Sequence, residues 1–305
     1  MPDPNTTTAV VLSFDVEEHY RIEAAVGLKS VDHLKAVYVQ RMETTTRQLL
    51  EQLSGADVKA TFYIVGQIAE SHPKLVRDIS DAGHEVGTHG WDHQRVHRFT
   101  PESFRNDIRQ SKEALEQATG QPVYGYRAPT FSVMRQTAWA VDVLAESGLL
   151  YDSSIFPVRH DRYGVPDAPR VPFMVQGEER EILELPPTTF RVLGMNHAVA
   201  GGGYFRLYPL QFMKAGIRQL TRDDSPLAML YFHPWEFDPD QPRLPLKPFA
   251  KWRTYVGISK STDRLGRLLK RYQTRFRRAI DVVNQLESQL DELPRFALTA
   301  KVPVS

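Results

Sequence analysis

Apolar positions along this chain recur with two different periods, and the alternation between them predicts its elements. Residues 9–14 (AVVLSF) form a short apolar run ending in polar residues, as a buried parallel strand does. Met42, Thr46, Leu49, Leu50 and Leu53 then fall on one helical face, and Gly55 follows. Residues 58–65 (VKATFYIV) read as a second strand. Ser71 and Pro73 open a helix carrying Leu75, Val76, Ile79 and Ala82, with Gly83 placed to cap it. Residues 84–87 predict a third, short strand. Thr100 before Pro101 opens a helix that turns Phe104, Ile108 and Leu115 inward and stops at Gly120. A strand over 123–126, a helix over 136–147 and a strand over 150–155 continue the series. Strands alternating with helices over this length predict a mostly parallel sheet with helices outside, open or closed as a barrel. Residues 156–210 are richer in Pro and Gly and read as loops with one strand at 182–185. Residues 228–232 (AMLYF) form a late strand, and Pro239, Pro242, Pro245 and Pro248 mark a linker. From Leu265 through Phe276 to Leu293, apolar residues keep a helical spacing, which predicts a long amphipathic helix packed across the outside.

Composition narrows the chemistry. With 305 residues the chain suits one large α/β domain with an appendage. Lys+Arg is 38 against Asp+Glu 37, so nothing in the total charge calls for a nucleic-acid partner. With 0 cysteines, a disulfide scaffold, a cysteine nucleophile and thiolate metal sites are excluded, so any metal must sit on His and carboxylate. The N-terminal MPDPNTTTAV has neither a basic region nor a long apolar core, and no stretch approaches the roughly 20 apolar residues of a membrane span. The expectation is a cytoplasmic protein.

Four clusters at or just after predicted strand ends carry candidate chemistry. In Ser-Phe-Asp-Val-Glu (13–17), the period of two places Asp15 and Glu17 on one face, an arrangement that suits a metal ligand beside a general base. Alone, such a pair more commonly sits in a solvated loop. In His89-Gly90-Trp91-Asp92-His93, histidines at i and i+4 face the same way on one helical turn and suit a divalent cation. Among 10 histidines one such pair is not surprising by chance; His97 is an alternative ligand, and His84 reads as a hydrogen-bonded histidine just before the site. In Gly125-Tyr126-Arg127-Ala128-Pro129-Thr130-Phe131, Arg127 can hold a carboxylate ionised and oriented, or simply lie in a surface turn. In Leu230-Tyr231-Phe232-His233-Pro234-Trp235-Glu236, His233 can serve as a general acid near neutral pH, with a capped or core histidine as the competing account. Their joint placement is stronger than each alone, because catalytic groups of barrels gather at the strand-end rim.

The order Phe-Asp…His-x-x-x-His…Arg-x-Pro…His resembles the polysaccharide deacetylase family, carbohydrate esterase family four, also called the NodB homology domain. The resemblance covers roughly the first 240 residues, a span set by where the clusters fall along the strand order. The sequences GHEVGTHGWDH, GYRAPTFS, YDSSIFP, GGGYFRLYP and YFHPWEFDPDQPR look most like the subfamily tied to exosortase and exopolysaccharide loci, which also carries a C-terminal extension. The resemblance implies a distorted (β/α) barrel at 1–240, a linker and C-terminal helical extension at 241–305, and a divalent metal, zinc first among candidates. Carried over by position, Asp15 would be the catalytic base, His89 and His93 metal ligands, Arg127 the group orienting Asp15, and His233 the general acid. Many members have two adjacent aspartates in the first motif; here Val16 follows Asp15. Relatives with Asp-Val-Asp place the ligand two residues on, which maps it to Glu17, in agreement with strand parity. Glu18 would point to the opposite face. The usual aromatic after Arg-x-Pro is replaced by Thr130, with Phe131 one place later.

The implied activity is metal-dependent removal of acetyl from an N-acetylated sugar of a polysaccharide, in exopolysaccharide biosynthesis or modification. In that scheme the metal, with the Thr130 backbone N–H, would stabilise the oxyanion. Trp235, Trp91, Tyr204 and Phe205 are candidate sugar platforms, although each aromatic taken singly is more often core. The Gly201-Gly202-Gly203 run would let a loop approach substrate or would simply turn the chain. A second reading is hydrolysis of a small cyclic amide, as in allantoinase-like relatives, kept open by Tyr151-Asp152-Ser153-Ser154. A third is a non-catalytic carbohydrate-binding protein, weakened by the joint presence of Asp15, Arg127 and His233. The basic stretch 260–278 reads first as the solvated face of a packed helix, and second as a weak contact with an anionic surface.

Overall fold

The computed structural model describes residues 8–299. Its strands are β1 (Ala9–Val16), β2 (Thr61–Ile64), β3 (Glu85–Thr88), β4 (Gly125–Tyr126), β5 (Tyr151–Asp152), β6 (Phe173–Gln176), β7 (Glu181–Glu184), β8 (Thr189–Val192), β9 (Met195–Ala198), β10 (Leu227–Phe232), β11 (Phe276–Arg277) and β12 (Arg295–Ala297). The helices are α1 (Lys35–Gly55), α2 (Gly66–Ser71), α3 (Pro73–Asp81), α4 (Pro101–Thr119), α5 (Trp139–Glu146), α6 (Gly202–Leu207), α7 (Leu210–Arg222), α8 (Pro248–Tyr255), α9 (Ser261–Tyr272) and α10 (Ala279–Leu286). The main sheet runs β10-β1-β2-β3-β4-β5-β7-β6-β12, with β11 also paired to β1. It is parallel from β10 to β7, and only the β6–β7 pair within it is antiparallel. Beyond β7 the chain returns to β10 through single bridges, Pro187 to Met229 and Gly201 to Tyr231, with the Thr188 N–H donating to the Met229 carbonyl at 3.0 Å. The mixed α/β architecture of the barrel type is as expected. The distortion lies in this return, made by isolated bridges instead of a ladder.

Local signals explain the elements that match. The α4 helix begins with Thr100, whose hydroxyl accepts the Ser103 N–H while Ser103 reaches back to the Thr100 N–H, and it ends at Gly120 in the left-handed conformation. Strand β1 is buried along its whole length, as its unbroken apolar run requires. On one side of the sheet, Phe14, Phe62, Phe205 and Phe232 pack in one core with Leu265, Leu268, Leu269 and Tyr272 of α9.

Three expectations are corrected. Residues 156–210 hold four strands and α6, because short strands set between Pro and Gly carry too little periodicity to register alone. Helices α2 and α7 were likewise not anticipated. The pattern from 265 to 293 is not one helix. Tyr272, Phe276 and Ile280 are evenly spaced, yet Phe276 and Arg277 form β11 against Val10 and Val11 of β1, and Arg275 donates to the Thr8 carbonyl at 2.9 and 2.7 Å. Sheet pairing overrides the local helical period there. Among the described residues, no helix is long and apolar enough to cross a membrane.

Candidate active site

The C-terminal ends of β1, β3 and β10, together with the turn after β4, deliver the four clusters to one pocket of about 270 Å³. Asp15, Glu17, His89, His93, Thr130, Phe131, Tyr204, His233 and Trp235 all line it. Arg127 lies beneath the floor with no exposed surface.

Asp15 is held from below. Arg127 Nη1 donates to Asp15 Oδ1 at 2.8 Å and to Ser13 Oγ at 2.7 Å. The other guanidinium nitrogens donate to the Ser153 carbonyl at 3.1 Å and to Ser153 Oγ at 2.9 Å. The guanidinium also stacks 4.2 Å above the Tyr63 ring. Burial opposes the Arg127 charge, but Asp15 and Tyr63 outweigh it and raise the guanidinium pKa further. Asp15 is thereby left with Oδ2 facing the pocket, 3.9 Å from His233 Nε2.

Glu17, His89 and His93 form a separate cluster whose ligand atoms all lie within 4.8 Å of one another. The residues present suit a divalent cation, for two independent reasons. First, Glu17 Oε2 is buried and is approached closely by His93 Nε2, with no other side-chain partner. The carboxylate oxygen and the imidazole nitrogen converge on one point, as ligands of a cation do. Second, His89 Nδ1 lies 2.7 Å from the Arg127 carbonyl, to which it donates, so the lone pair sits on Nε2 and faces the cluster. Burial holds the His89 pKa down to about 4, keeping the imidazole neutral and able to ligate. Burial also disfavours the Glu17 carboxylate, but His93, His233 and His89 outweigh it and hold the pKa well below the ordinary range. Trp235 Nε1 donates to Glu17 Oε1 at 3.2 Å and orients it.

The expected helical turn between His89 and His93 is not there. Residues 89–95 are irregular, and His93 joins His89 through a left-handed backbone (φ 65°) following Gly90. His97 lies in an exposed 3₁₀ turn away from the cluster. His84 accepts the Ala60 N–H at 3.0 Å on Nδ1, as expected of a structural histidine. Glu18 points the other way, pairing with Arg21 at 2.5 Å.

Across the pocket, His233 Nε2 lies 3.8 Å from Glu17 Oε1, and Nδ1 bonds Glu236 Oε2 at 3.2 Å. Burial disfavours the imidazolium, but Glu236, Glu17 and Asp15 outweigh it and push the pKa up to about 9. Glu236 is fully buried and accepts Arg206 Nε at 2.8 Å. Ser13, Ser153, Glu236 and Arg206 were not singled out from sequence. Only the i+3 spacing of Glu236 after His233, a capping-box offset, gave a local hint.

Thr130 and Phe131 both sit at positive φ, 57° and 51°, strained conformations for side-chain-bearing residues, at the pocket wall. Among the expected sugar platforms, Tyr204 faces the pocket. Trp235 also does, but its ring lies between His233, which stacks on it, and a tilted His19. Phe205 is core against Phe232, and Trp91 packs on Gly66 outside the pocket. Of the glycine run, Gly203 lines the pocket, whereas Gly201 approaches the Tyr231 backbone so closely that a Cβ would enter its carbonyl oxygen.

Comparison with known proteins finds similarity to polysaccharide deacetylases over the first half of the chain. Residues 6–149 match the polysaccharide deacetylase family, and residues 153–284 match a domain of unknown function (DUF3473). The peptidoglycan-N-acetylglucosamine deacetylase of Bacillus cereus is 31% identical over 98 residues, 32% of this chain and 36% of that protein. The aligned stretch thus spans about a third of that relative. By structure, the chain resembles a Mycobacterium smegmatis protein assigned to the polysaccharide deacetylases, with TM-score 0.64 and 21% identity over 100% of this chain and 97% of the other. It resembles PuuE allantoinase with TM-score 0.63 and 15% identity, over 94% and 93%. These likenesses establish the fold alone. The family match and the sequence relatives together support a likeness of residues 6–149 to the polysaccharide deacetylase family.

Proposed function

We propose that this protein is a metal-dependent hydrolase that removes acetyl from an N-acetylated sugar of a glycan, in the synthesis or modification of an exported polysaccharide. The observation that carries the reading is the juxtaposition, in one pocket, of an Arg-clamped carboxylate, a ligand-competent Glu-His-His cluster and a histidine braced to be cationic. Glu17, His89 and His93 would hold the cation, and two imidazoles with one carboxylate fit zinc. When bound, the cation supplies Lewis-acid polarisation of the acetyl carbonyl and acidifies water.

The chain's own groups account for the proton movements. Asp15, fixed through Oδ1, presents Oδ2 to accept a proton from the attacking water. The clamp prevents rotation of the carboxylate away from that water. His233, with Nδ1 spent on Glu236, directs Nε2 into the pocket and can deliver a proton to the departing sugar amine. Because its pKa lies near 9, the proton is in place at neutral pH. The Thr130 backbone N–H, at the pocket wall, is a candidate donor to the developing oxyanion.

The test is acetate release from N-acetylglucosamine oligomers and acetylated bacterial glycans, with and without chelator and with zinc restored. The expected result is chelator-sensitive release that zinc recovers. The fold shared with allantoinase makes a cyclic-amide substrate the reading to compare. Turnover of allantoin with none of any acetylated sugar would replace the deacetylase assignment.

A further inference from the structure

The pocket has two electrostatic ends. Its inner end carries Asp15, Glu17 and the histidines described above. Its outer end carries Arg162 and Arg253, beside His160, Tyr163 and Tyr204. The other charged groups in the lining are internally matched: Arg206 is bonded to Glu236, and Glu23 is paired with Arg95 at 3.4 Å. Among the described residues, the Arg162 side chain is paired only with the neighbouring Asp161, 3.7 Å away and itself 74% exposed. Arg253 is half-buried and makes no side-chain hydrogen bond or ion pair among the described residues.

The placement of Arg253 is built in. It lies in the last turn of α8, and the next residue, Thr254, has its carbonyl bonded by Arg206 Nη1 at 2.5 Å, with the Val256 carbonyl bonded at 3.1 Å. Arg206 is the same residue that braces Glu236 behind His233. The helix bearing Arg253 is therefore tied to the support of the candidate acid, and their separation is set by the fold. Arg162 and Arg253 line the same pocket as His160 and Tyr163, and both act electrostatically on those two rings. Beside the two arginines, the His160 ring stacks on Tyr163 at 3.9 Å, and Tyr163 stacks on Phe156 at 5.9 Å.

A guanidinium drawn partly out of water without a partner has lost hydration that only an anion replaces well, and its planar fork matches carboxylate and phosphate oxygens. A cation in the last turn of a helix is also stabilised by the helix dipole, but that needs no orientation into a pocket. We propose that the substrate is an anionic glycan, in which a carboxylate or phosphate close to the N-acetylated sugar is bound by Arg253 with Arg162 while the acetamido group reaches the inner end. The proposal rests on the deacetylase reading and adds the charge class of its substrate. The anionic oxygens can come from a uronic acid next in the chain or from a phosphate on the sugar's anomeric oxygen.

The experiment uses the full zinc-loaded chain and titration calorimetry, which needs no turnover. The probes are N-acetylglucosamine, N-acetylglucosamine 1-phosphate, the neutral tetramer of N-acetylglucosamine, and a tetramer alternating N-acetylglucosamine with glucuronate. Each anionic probe is compared with its neutral match, in the wild type, in Arg253→Gln and in Arg253→Gln with Arg162→Gln. The expected result is that at least one anionic probe binds about tenfold or more tightly than its match, as a charge-assisted contact requires. The ratio should fall with added salt and collapse toward one in the double variant. A preference for phosphate over glucuronate, or the reverse, identifies the source. Equal binding of matched probes by the wild type, failure of all four to bind, or a preference that survives the double variant overturns the proposal. Acetate release is followed in parallel. An Arg-dependent anion preference with no acetate from any probe removes the deacetylase reading and leaves anion recognition standing. Equal kcat/KM on neutral and anionic tetramers removes anion recognition and leaves the deacetylase.

Discussion

Replacing Glu236 by Gln separates the proton-holding role of His233 from the metal cluster. Glu236 touches neither Glu17, His89 nor His93, and Gln keeps an acceptor oxygen for Arg206 Nε. What is lost is a buried negative charge 3.2 Å from His233 Nδ1. In the wild type the imidazole pKa is pushed from 6.5 to about 9 against the penalty of burial, with Glu236 contributing both a hydrogen bond and a charge. The Glu17 share is offset once a cation binds there, so Glu236 is the carboxylate that matters in the loaded protein. A raised pKa means that the cation persists below it and is lost above it. Removing the Glu236 contributions should therefore bring the basic limb of kcat/KM down by about one to two pH units, equivalent to about 1.4–2.7 kcal/mol. At pH 8.5 activity should fall about tenfold, whereas near pH 6 it should change little, because both proteins then hold the proton. The assay is acetate release from pH 5 to 10 at constant ionic strength, with zinc content and thermal melting as controls. A basic limb that stays in place or moves upward in a folded, zinc-replete variant would refute the assignment of His233 as the proton donor.

Other outcomes follow from the same geometry. Asp15→Asn should lower kcat by about 10²–10⁴-fold, since an amide cannot take the water's proton, while zinc content measured by atomic absorption stays close to wild type. Glu17→Gln should show the opposite signature: sharply reduced zinc occupancy at limiting metal, partly recovered with excess zinc, and a normal far-ultraviolet circular dichroism spectrum. Arg127→Met should destabilise the protein by about 3–5 kcal/mol in urea unfolding, because Asp15 would be left buried and unpaired. Gly201→Ala should cost about 1–3 kcal/mol or more by the same measurement, since its Cβ meets the Tyr231 carbonyl. A neutral effect there would mean that the β10 side of the barrel can shift.

Much of the candidate site could be read without a structure. The parity of Asp15 and Glu17 follows from the two-residue period of β1, which is set by local backbone geometry and survives in any fold that buries this strand. The end of an apolar strand likewise marked His233, and Thr100 and Gly120 marked the limits of α4, because caps and strand runs are short-range effects. The i, i+4 spacing of His89 and His93 picked out a pair that the structure does bring together, though not by the helical turn it implied. A left-handed turn at His93, held within the folded loop, brings the rings together where a helix had been expected.

What the tertiary structure decided was every pairing between distant segments. Arg206 reaches Glu236 across 30 residues, Ser153 reaches Arg127 across 26, and β11 reaches β1 across more than the whole barrel. No periodicity encodes such partners, because charge and hydrogen-bonding capacity are visible in a sequence while the partner is chosen by packing. The same holds for the basic stretch 260–278, where Arg264, Arg275 and Arg278 are bonded to carbonyls and to Asp281 while Arg267, Lys270 and Arg271 are exposed. Arg253, one more cation in a Pro-rich region, acquires its place at the pocket only because Arg206 anchors the end of its helix.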